Sequence, residues 1–337
     1  MRRAFERPPE VDPIATYLES ELGWEVRLLG PAPGNSHDGW VMQRLGDPPA
    51  KILVRLEPTH GPFLTYDGAR EAALIRELSG LGLPVPRVVA VAGPEICGTG
   101  FMVVDWIEGH VFNPHEASRL DAAERGRMAA ELASMLAQVH AIPVDALQTF
   151  DQTERSNIRP EVYLEQFDAT LDGLVVVESL VLDYVRAWLA QHLGQSTADL
   201  TLVHGDFRLG NLVWDGGFIA GVLDWETARL GNPLFDLGWV CMGAQSGADS
   251  IMGLLPRDQF VQLYCEASRR DVSERDVILW QVAAAWVRGC TELRLLDLAL
   301  TSLDHGSVDP RDLSWQFGSF RTEQELLELI DAYEHGR

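Results

Sequence analysis

Between residues 200 and 239 the chain reads LTLVHGDFRLGNLVWDGGFIAGVLDWETARLGNPLFDLGW, and no other stretch restricts its fold so tightly. Short apolar runs (201–203, 212–214, 219–223) alternate with single polar residues at sharp points: His204, Asp206, Asn211, Asp224, Glu226 and Asp236. The runs have strand length, and Asp215-Gly216-Gly217 between the last two is a hairpin turn signal. In an antiparallel pair this puts Asn211, at the start of one arm, beside Asp224 at the end of the other. An amide oxygen next to a carboxylate suits Mg2+, which uses few protein ligands and completes its shell from phosphate and water. Asp206, on the loop entering the hairpin, is positioned to accept a proton from a hydroxyl attacking a phosphoryl group held by that metal.

The flanks differ in character. Up to about residue 108 the pattern predicts strands around a single helix. Residues 25–29 read as a short strand before the turn PAPGNSHDG. Residues 40–45 and 51–56 read as two strands joined by Gly46-Asp47-Pro48-Pro49, a turn signal. Over residues 67–81 the apolar Ala72, Leu74, Ile75, Leu78 and Leu81 share one side of a helix. Residues 83–93 and 100–109 supply two more strands, the second nearly all apolar and so expected inside the sheet. Beyond it the spacing predicts helices over 120–140, 161–193, 257–270, 273–303 and 322–333. Their start signals include Asp121…Glu124, Ser273…Asp276 and Thr322…Glu325. Residues 200–239 are the one stretch expected to be non-helical. The result is an α+β chain, with an N-terminal lobe (1–109) of antiparallel sheet and one main helix, then a larger, mostly helical lobe (110–337).

Of 337 residues, 27 are Lys or Arg and 50 are Asp or Glu, for a formal net charge of −23. Such a surface repels a phosphate backbone, so nucleic acid is not expected as a partner. Residues 1–109 hold 10 basic and 15 acidic residues, so most of the acidic excess belongs to the helical lobe. Cys97, Cys241, Cys265 and Cys290 lie far apart without a C-x-x-C pair, which argues against a disulfide framework and a zinc knuckle. The opening MRRAFERPPE has no apolar run behind its basic residues, so it does not read as a signal peptide. No run reaches the roughly 18 unbroken apolar residues of a membrane span. A cytoplasmic protein with no membrane partner is therefore expected, and no pattern encodes its oligomeric state.

His204-Gly205-Asp206-x-x-x-x-Asn211, followed by Asp224-Trp225-Glu226, resembles the catalytic and metal-binding loops of the aminoglycoside phosphotransferase (choline-kinase-like) family. That family is in turn similar to the protein kinases, whose H-R-D-x-x-x-x-N and D-F-G elements have matching roles. The longer string through Asp236 is similar to the subgroup found fused ahead of certain acyl-CoA dehydrogenases. The resemblance implies a bilobal, protein-kinase-like fold and ATP as donor with one or two Mg2+. The implied acceptor is a hydroxyl on a small molecule. It also implies roles: Asp206 as catalytic base or hydroxyl-orienting aspartate, Asn211 and Asp224 as metal ligands, and His204 and Asp236 as hydrogen-bonding braces of the catalytic loop.

By the same resemblance Gly34-Asn35-Ser36 and Gly39 match a phosphate-covering turn in which Ser36 meets a phosphate. Residues 51–55 (KILVR) take the place of the V-A-I-K strand, so Arg55 stands where the family usually has lysine. Arginine keeps the charge and can fork to two oxygens. Lys51, the only lysine of the chain, lies four residues away on the same strand face and is the alternative phosphate contact. Glu71 matches the carboxylate that pairs with this cation, and Asp105, Trp106 and Ile107 fall where an adenine-binding hinge belongs.

Two functions compete on these residues. The preferred one is an ATP- and Mg2+-dependent phosphotransferase acting on a small-molecule hydroxyl. The alternative is a non-catalytic kinase-like module binding a nucleotide or acyl-CoA, supported by Arg55 in place of lysine and the incomplete Gly-rich turn. A Ser/Thr protein kinase is disfavoured, because H-G-D replaces H-R-D and no A-P-E follows Asp224. A zinc hydrolase lacks a ligand set at the right spacing. Among single residues, His204 reads as a buried, hydrogen-bonded histidine, and His140 as packing or a helix C-terminal cap. Trp188, Trp280, Trp286 and Trp315 read as core or groove wall. For the acceptor, the subgroup similarity points to a hydroxyacyl thioester or another hydroxylated metabolite rather than an aminoglycoside.

Overall fold

The structure is a computed structural model that describes residues 8–32, 39–58, 66–156, 162–175, 177–195, 200–242, 250–303 and 316–336. These fall into two compact units that part between Glu108 and Gly109.

The first unit is built on helix α1 (Val11–Leu22), strands β1 (Val26–Pro31), β2 (Gly39–Arg44) and β3 (Ala50–Leu56), helix α2 (Gly68–Gly80), and strands β4 (Val88–Ala92) and β5 (Phe101–Asp105). The sheet is antiparallel throughout, in the order β1-β2-β3-β5-β4. The apolar β5 lies inside it, as its composition predicts. Ile52, Val54 and Leu56 of β3 pack with Met42, Phe101 and Val103 against Val11, Ile14 and Leu18 of α1. Lys51, Leu53 and Arg55 alternate with them and so belong to the opposite face of the strand. Helix α1 corrects the expectation of a single helix in this part. Val11, Ile14 and Leu18 follow helical spacing and are fully buried, but the prolines around them hide the signal. Pro13 lies in the first turn, where a helix needs no N–H donor.

The second unit contains α3 (Pro114–Ala117), α4 (Ala122–His140), α5 (Gln152–Ser156), α6 (Val162–Asp172) and α7 (Leu180–His192). Strands β6 (Thr201–Val203), β7 (Leu212–Asp215), β8 (Phe218–Val222) and β9 (Arg229–Gly231) follow. Helices α8 (Leu234–Cys241), α9 (Arg257–Ser268), α10 (Glu274–Leu303) and α11 (Gln316–His335) complete it. Helix α10 is its axis. Val277, Trp280, Ala283, Ala284, Trp286 and Cys290 are all buried on it, so the helix is apolar around most of its circumference. It is wrapped by α6, α7, α8 and α11. Trp188, Trp280 and Trp286 are core residues here, while Trp315 lies outside the described residues.

Three expectations are corrected. The predicted helix over 161–193 is two helices, parted after Asp172. The Asp297 carboxylate of α10 accepts the Val175 and Val177 N–H groups at 2.9 and 3.3 Å, which holds the connection to α7 in a non-helical course. Residues 234–241 form α8, although 234–239 belong to the stretch expected to be non-helical. Thr322 does not start a helix; it lies inside α11, where its buried hydroxyl donates to Glu292 at 2.8 Å. Asp121 and Ser273 do cap their helices, accepting from the N–H groups of Glu124 and Asp276 at 2.8 and 3.1 Å. Among the described residues no helix is long and apolar enough to cross a membrane.

Gly238 shows how tightly α8 is seated on α10. A Cβ there would strike the Trp280 carbonyl and lie 2.7 Å from the Gln281 nitrogen, both of them backbone atoms that cannot rotate away. Gly238→Ala is therefore expected to destabilise the protein by about 1–3 kcal/mol, measurable by urea unfolding. Gly126→Ala, on α4 with nothing within 4 Å of the new methyl, is the control and should not destabilise.

Candidate active site

The polar residues of 204–239 converge because three local devices bend the chain around them. Strand β6 pairs with β9, which delivers His204 and Gly205 at the mouth of a tight loop. The β7–β8 hairpin turns at Gly216 and Gly217, with φ of 55° and 88°, a left-handed pair that glycine adopts freely. Its pairing continues one step past the strands, where Leu223 N–H donates to the Asn211 carbonyl at 2.8 Å. Asn211 is thereby neighbour to the segment that carries Asp224. Asp224 itself has φ 67° and ψ 62°, a left-handed conformation that aspartate tolerates better than most side chains.

Asp206 is the centre of the group. Its Oδ2 accepts from Asn211 Nδ2 at 2.8 Å, and its carbonyl accepts from the same amide nitrogen at 2.9 Å. Arg208 Nε donates to both carboxylate oxygens at 3.0 Å, and Trp239 Nε1 donates to Oδ1 at 3.0 Å. Burial works to lower the Arg208 pKa, but the negative charge of Asp206, and with it that of Asp224 and Glu226, holds the guanidinium above its ordinary value. One cation thus senses three carboxylates, so Asp206, Asp224 and Glu226 share one electrostatic neighbourhood. Sequence reasoning missed Arg208 and Trp239. The first is two residues from Asp206, the second three residues from Asp236 on what is now a helix.

Asp236 is completely buried. Its Oδ2 accepts the His204 N–H and its Oδ1 the Gly205 N–H, each at 2.8 Å. His140 Nε2 lies 3.1 Å from Oδ2, and His140 Nδ1 lies 2.8 Å from the Tyr264 hydroxyl. Burial alone would raise the Asp236 pKa. The hydrogen bond from His140, the electrostatic pull of the neighbouring imidazoles and the Gly205 N–H outweigh it and hold the carboxyl below its ordinary value. His140 is therefore neither simple packing nor a helix cap but a link between Asp236 and Tyr264. His204 is fully buried; its Nε2 meets the Leu223 carbonyl at 2.9 Å and its Nδ1 the Asp206 N–H at 3.2 Å. A neutral ring protonated on Nε2 satisfies both contacts.

In the first unit Arg55 Nη1 meets Glu71 Oε1 at 2.8 Å, and the Tyr66 hydroxyl donates to Glu71 Oε2 at 2.7 Å. Lys51 instead pairs with Glu108 at 2.7 Å, its Nζ 5.6 Å from the centre of the Trp106 ring. The Asp105 carboxylate takes Arg87 in a two-pronged pair at 2.8 and 3.2 Å. The Asp105 and Trp106 N–H groups donate to the Arg87 and Lys51 carbonyls. Ile107 follows directly on this segment. Ser36 lies outside the described residues. The two pairs differ in exposure: Arg55 and Glu71 side chains are 13% and 1% exposed, Lys51 and Glu108 41% and 72%. Arg55→Met is accordingly expected to cost about 3–5 kcal/mol, because Glu71 is left buried without its cation. Lys51→Met should cost less than about 1 kcal/mol. Chemical denaturation of both variants checks the difference.

Among the described residues, no three His, Cys, Asp or Glu side chains form a metal-binding group. All four cysteines are free thiols with pKa values raised by burial, Cys241 to about 12, so none is a ready thiolate nucleophile.

Among known proteins, the chain is 25% identical over 279 residues to Acyl-CoA dehydrogenase family member 10 of Mus musculus, covering 75% of this chain. It spans about a quarter of that relative's length. The fold is similar to a solved protein of Ralstonia eutropha described as an aminoglycoside phosphotransferase (TM-score 0.72, 19% identity, 95% of this chain and 98% of the other). It is also similar to the choline kinase LicA of Streptococcus pneumoniae (TM-score 0.65, 15% identity, 96% and 99%). A third similar structure is the streptomycin–ATP ternary complex of APH(2")-IIa (TM-score 0.56, 15% identity, 87% and 91%). The fold is thus kinase-like, an antiparallel sheet unit followed by a helical one. The model of the phosphotransferase enzyme family matches residues 31–275, more than half of the chain. The chain belongs to that family.

Proposed function

We propose that this protein transfers the γ-phosphoryl group of ATP, with Mg2+, to a hydroxyl of a small molecule. The observation that carries the reading is the Asp206 carboxylate held 2.8 Å from Asn211 Nδ2, in the electrostatic neighbourhood of Asp224 and Glu226. The family match and the ATP complex among the similar structures support a nucleotide donor.

The residues present fit a Mg2+ ion. Asn211 directs its amide nitrogen at Asp206, which leaves its oxygen as the end to meet a cation, and Asp224 adds a carboxylate. Both are hard oxygen donors, and Mg2+ needs no larger protein set. When bound, the ion would neutralise charge on the nucleotide's phosphates. The chain's own residues do the positioning. Asp236 fixes the backbone of the loop, the loop and Asn211 fix Asp206, and Asp206 orients the acceptor hydroxyl and receives its proton as the new P–O bond forms and the γ-phosphorus parts from the bridging oxygen of the departing ADP. Positioning and charge neutralisation are most of what phosphoryl transfer demands. Arg55, braced by Glu71, stands where the family places its phosphate-binding cation and is the proposed phosphate contact, with Lys51, paired with Glu108, as the alternative. Asp105, Trp106 and Ile107 remain the proposed base-reading segment. Two of its N–H groups are used inside the sheet, so other groups, Ile107 among them, would read the base.

For the acceptor, the relative named as an acyl-CoA dehydrogenase favours a hydroxyacyl thioester over an aminoglycoside. Thermal-shift titration tests the nucleotide site. ATP with Mg2+ should raise the melting temperature more than ATP alone, and Asp224→Asn should remove the difference. Equal shifts with and without Mg2+ in the wild type would favour the non-catalytic binding module instead.

A further inference from the structure

We propose that Trp239 is a positioning residue for phosphoryl transfer, acting through Asp206; the inference rests on the reading of Asp206 as the hydroxyl-orienting group. Trp239 lies on α8 three residues after Asp236, so the two side chains share one face of that helix. Asp236 holds the backbone of the loop at His204 and Gly205, while Trp239 Nε1 holds the side chain of the loop's aspartate at 3.0 Å. One turn of helix therefore sets both the course of the loop and the rotation of its reactive carboxylate.

The two oxygens of Asp206 are addressed from different elements. Asn211 fixes Oδ2 from the start of the hairpin, and Trp239 fixes Oδ1 from α8. Arg208 Nε lies equally far from both oxygens, at 3.0 Å, and so does not by itself select a rotation of the carboxylate. Removing the indole donor leaves Oδ1 held by Arg208 alone, while Asn211 still holds Oδ2, so the carboxylate is fixed from one side only. The indole is itself held. Its ring stacks on Phe235, with centroids 6.1 Å apart and planes at 25°, and the Arg229 guanidinium sits 4.2 Å from the centre of the Phe235 ring. Phe235 is fully buried, and α8 is fixed on α10 through Gly238. The donor is thus pre-set before any substrate binds, which is the condition for a positioning group to act on rate.

Trp239→Phe keeps an aromatic ring and deletes the N–H. Loss of one hydrogen bond to a charged acceptor predicts a fall in kcat of roughly ten- to hundredfold, with KM for nucleotide and acceptor unchanged. A second readout needs no turnover. The indole N–H resonance of Trp239, assigned by its loss in Trp239→Phe, should move in Asp206→Asn. An unchanged kcat, a rise in KM alone, or an indole resonance indifferent to Asp206→Asn would each overturn the proposal. If the wild type transfers phosphate to no hydroxyl, the reading of the reaction falls and the role of Trp239 with it, even where the resonance still reports the hydrogen bond.

Discussion

Asp206→Asn is expected to lower kcat by about 10^2–10^4-fold while leaving nucleotide affinity within a few-fold of the wild type. The substitution keeps the shape of the side chain and one acceptor oxygen, but it removes the charge that draws a hydroxyl proton. The three side chains around it, Arg208, Asn211 and Trp239, all present donors to the carboxylate. An amide can satisfy them with only one oxygen, so a modest loss of stability should accompany the loss of rate. Steady-state kinetics on protein shown to be folded by its near-UV spectrum separates the two effects. A variant with normal kcat would remove Asp206 from the chemistry.

The second large effect is structural and lies one layer deeper. Asp236→Ala deletes an acceptor that serves His204 N–H, Gly205 N–H and His140 inside a site with no access to water. Leaving such donors unpaired should cost about 3–5 kcal/mol, and the loop carrying Asp206 should lose its order with them. The same carboxylate makes a pH signature. Its folded pKa lies below the ordinary 3.8, so the folded state binds this proton less readily than the unfolded chain. The stabilisation is fully present above that ordinary value and is lost as pH falls through the lower folded one. Acid unfolding of the wild type should therefore include a component below about pH 4 that is missing in Asp236→Asn. Identical acid profiles would show that the buried carboxylate contributes nothing through its charge.

What could be read from the sequence depended on how local each contact is. Asn211 and Asp224 follow from a hairpin whose register is set by a two-glycine turn, and strand spacing alone brings them together. Strand β3 and helix α2 were legible from their own periodicity, whereas the pairing of Arg55 with Glu71 came from the family resemblance. Helix α1 was not, because three prolines between residues 8 and 13 outweighed its apolar spacing in the reading of the pattern. The break after Asp172 depends on a carboxylate more than 100 residues further along, at Asp297. His140 and Tyr264 are 124 residues apart, and Trp239 is 33 residues from Asp206. No periodicity carries such pairings. They appear only when tertiary packing sets α4, α8 and α9 around the loop, which is why the family resemblance marked the braces His204 and Asp236 while Trp239 and the His140–Tyr264 link stayed hidden.

The proposed reaction has Asp206, Asn211 and Asp224 direct a nucleotide's terminal phosphate onto an alcohol. The most direct measurement incubates the full chain with ATP, Mg2+ and a panel of hydroxylated acceptors, hydroxyacyl thioesters and aminoglycosides among them, and follows phosphorus by 31P NMR. A new phosphomonoester resonance is expected to grow as the γ-phosphate signal declines, and to be absent with Asp206→Asn. Binding of the Mg2+–nucleotide with no phosphomonoester on any acceptor, or an equal yield from Asp206→Asn, would contradict it.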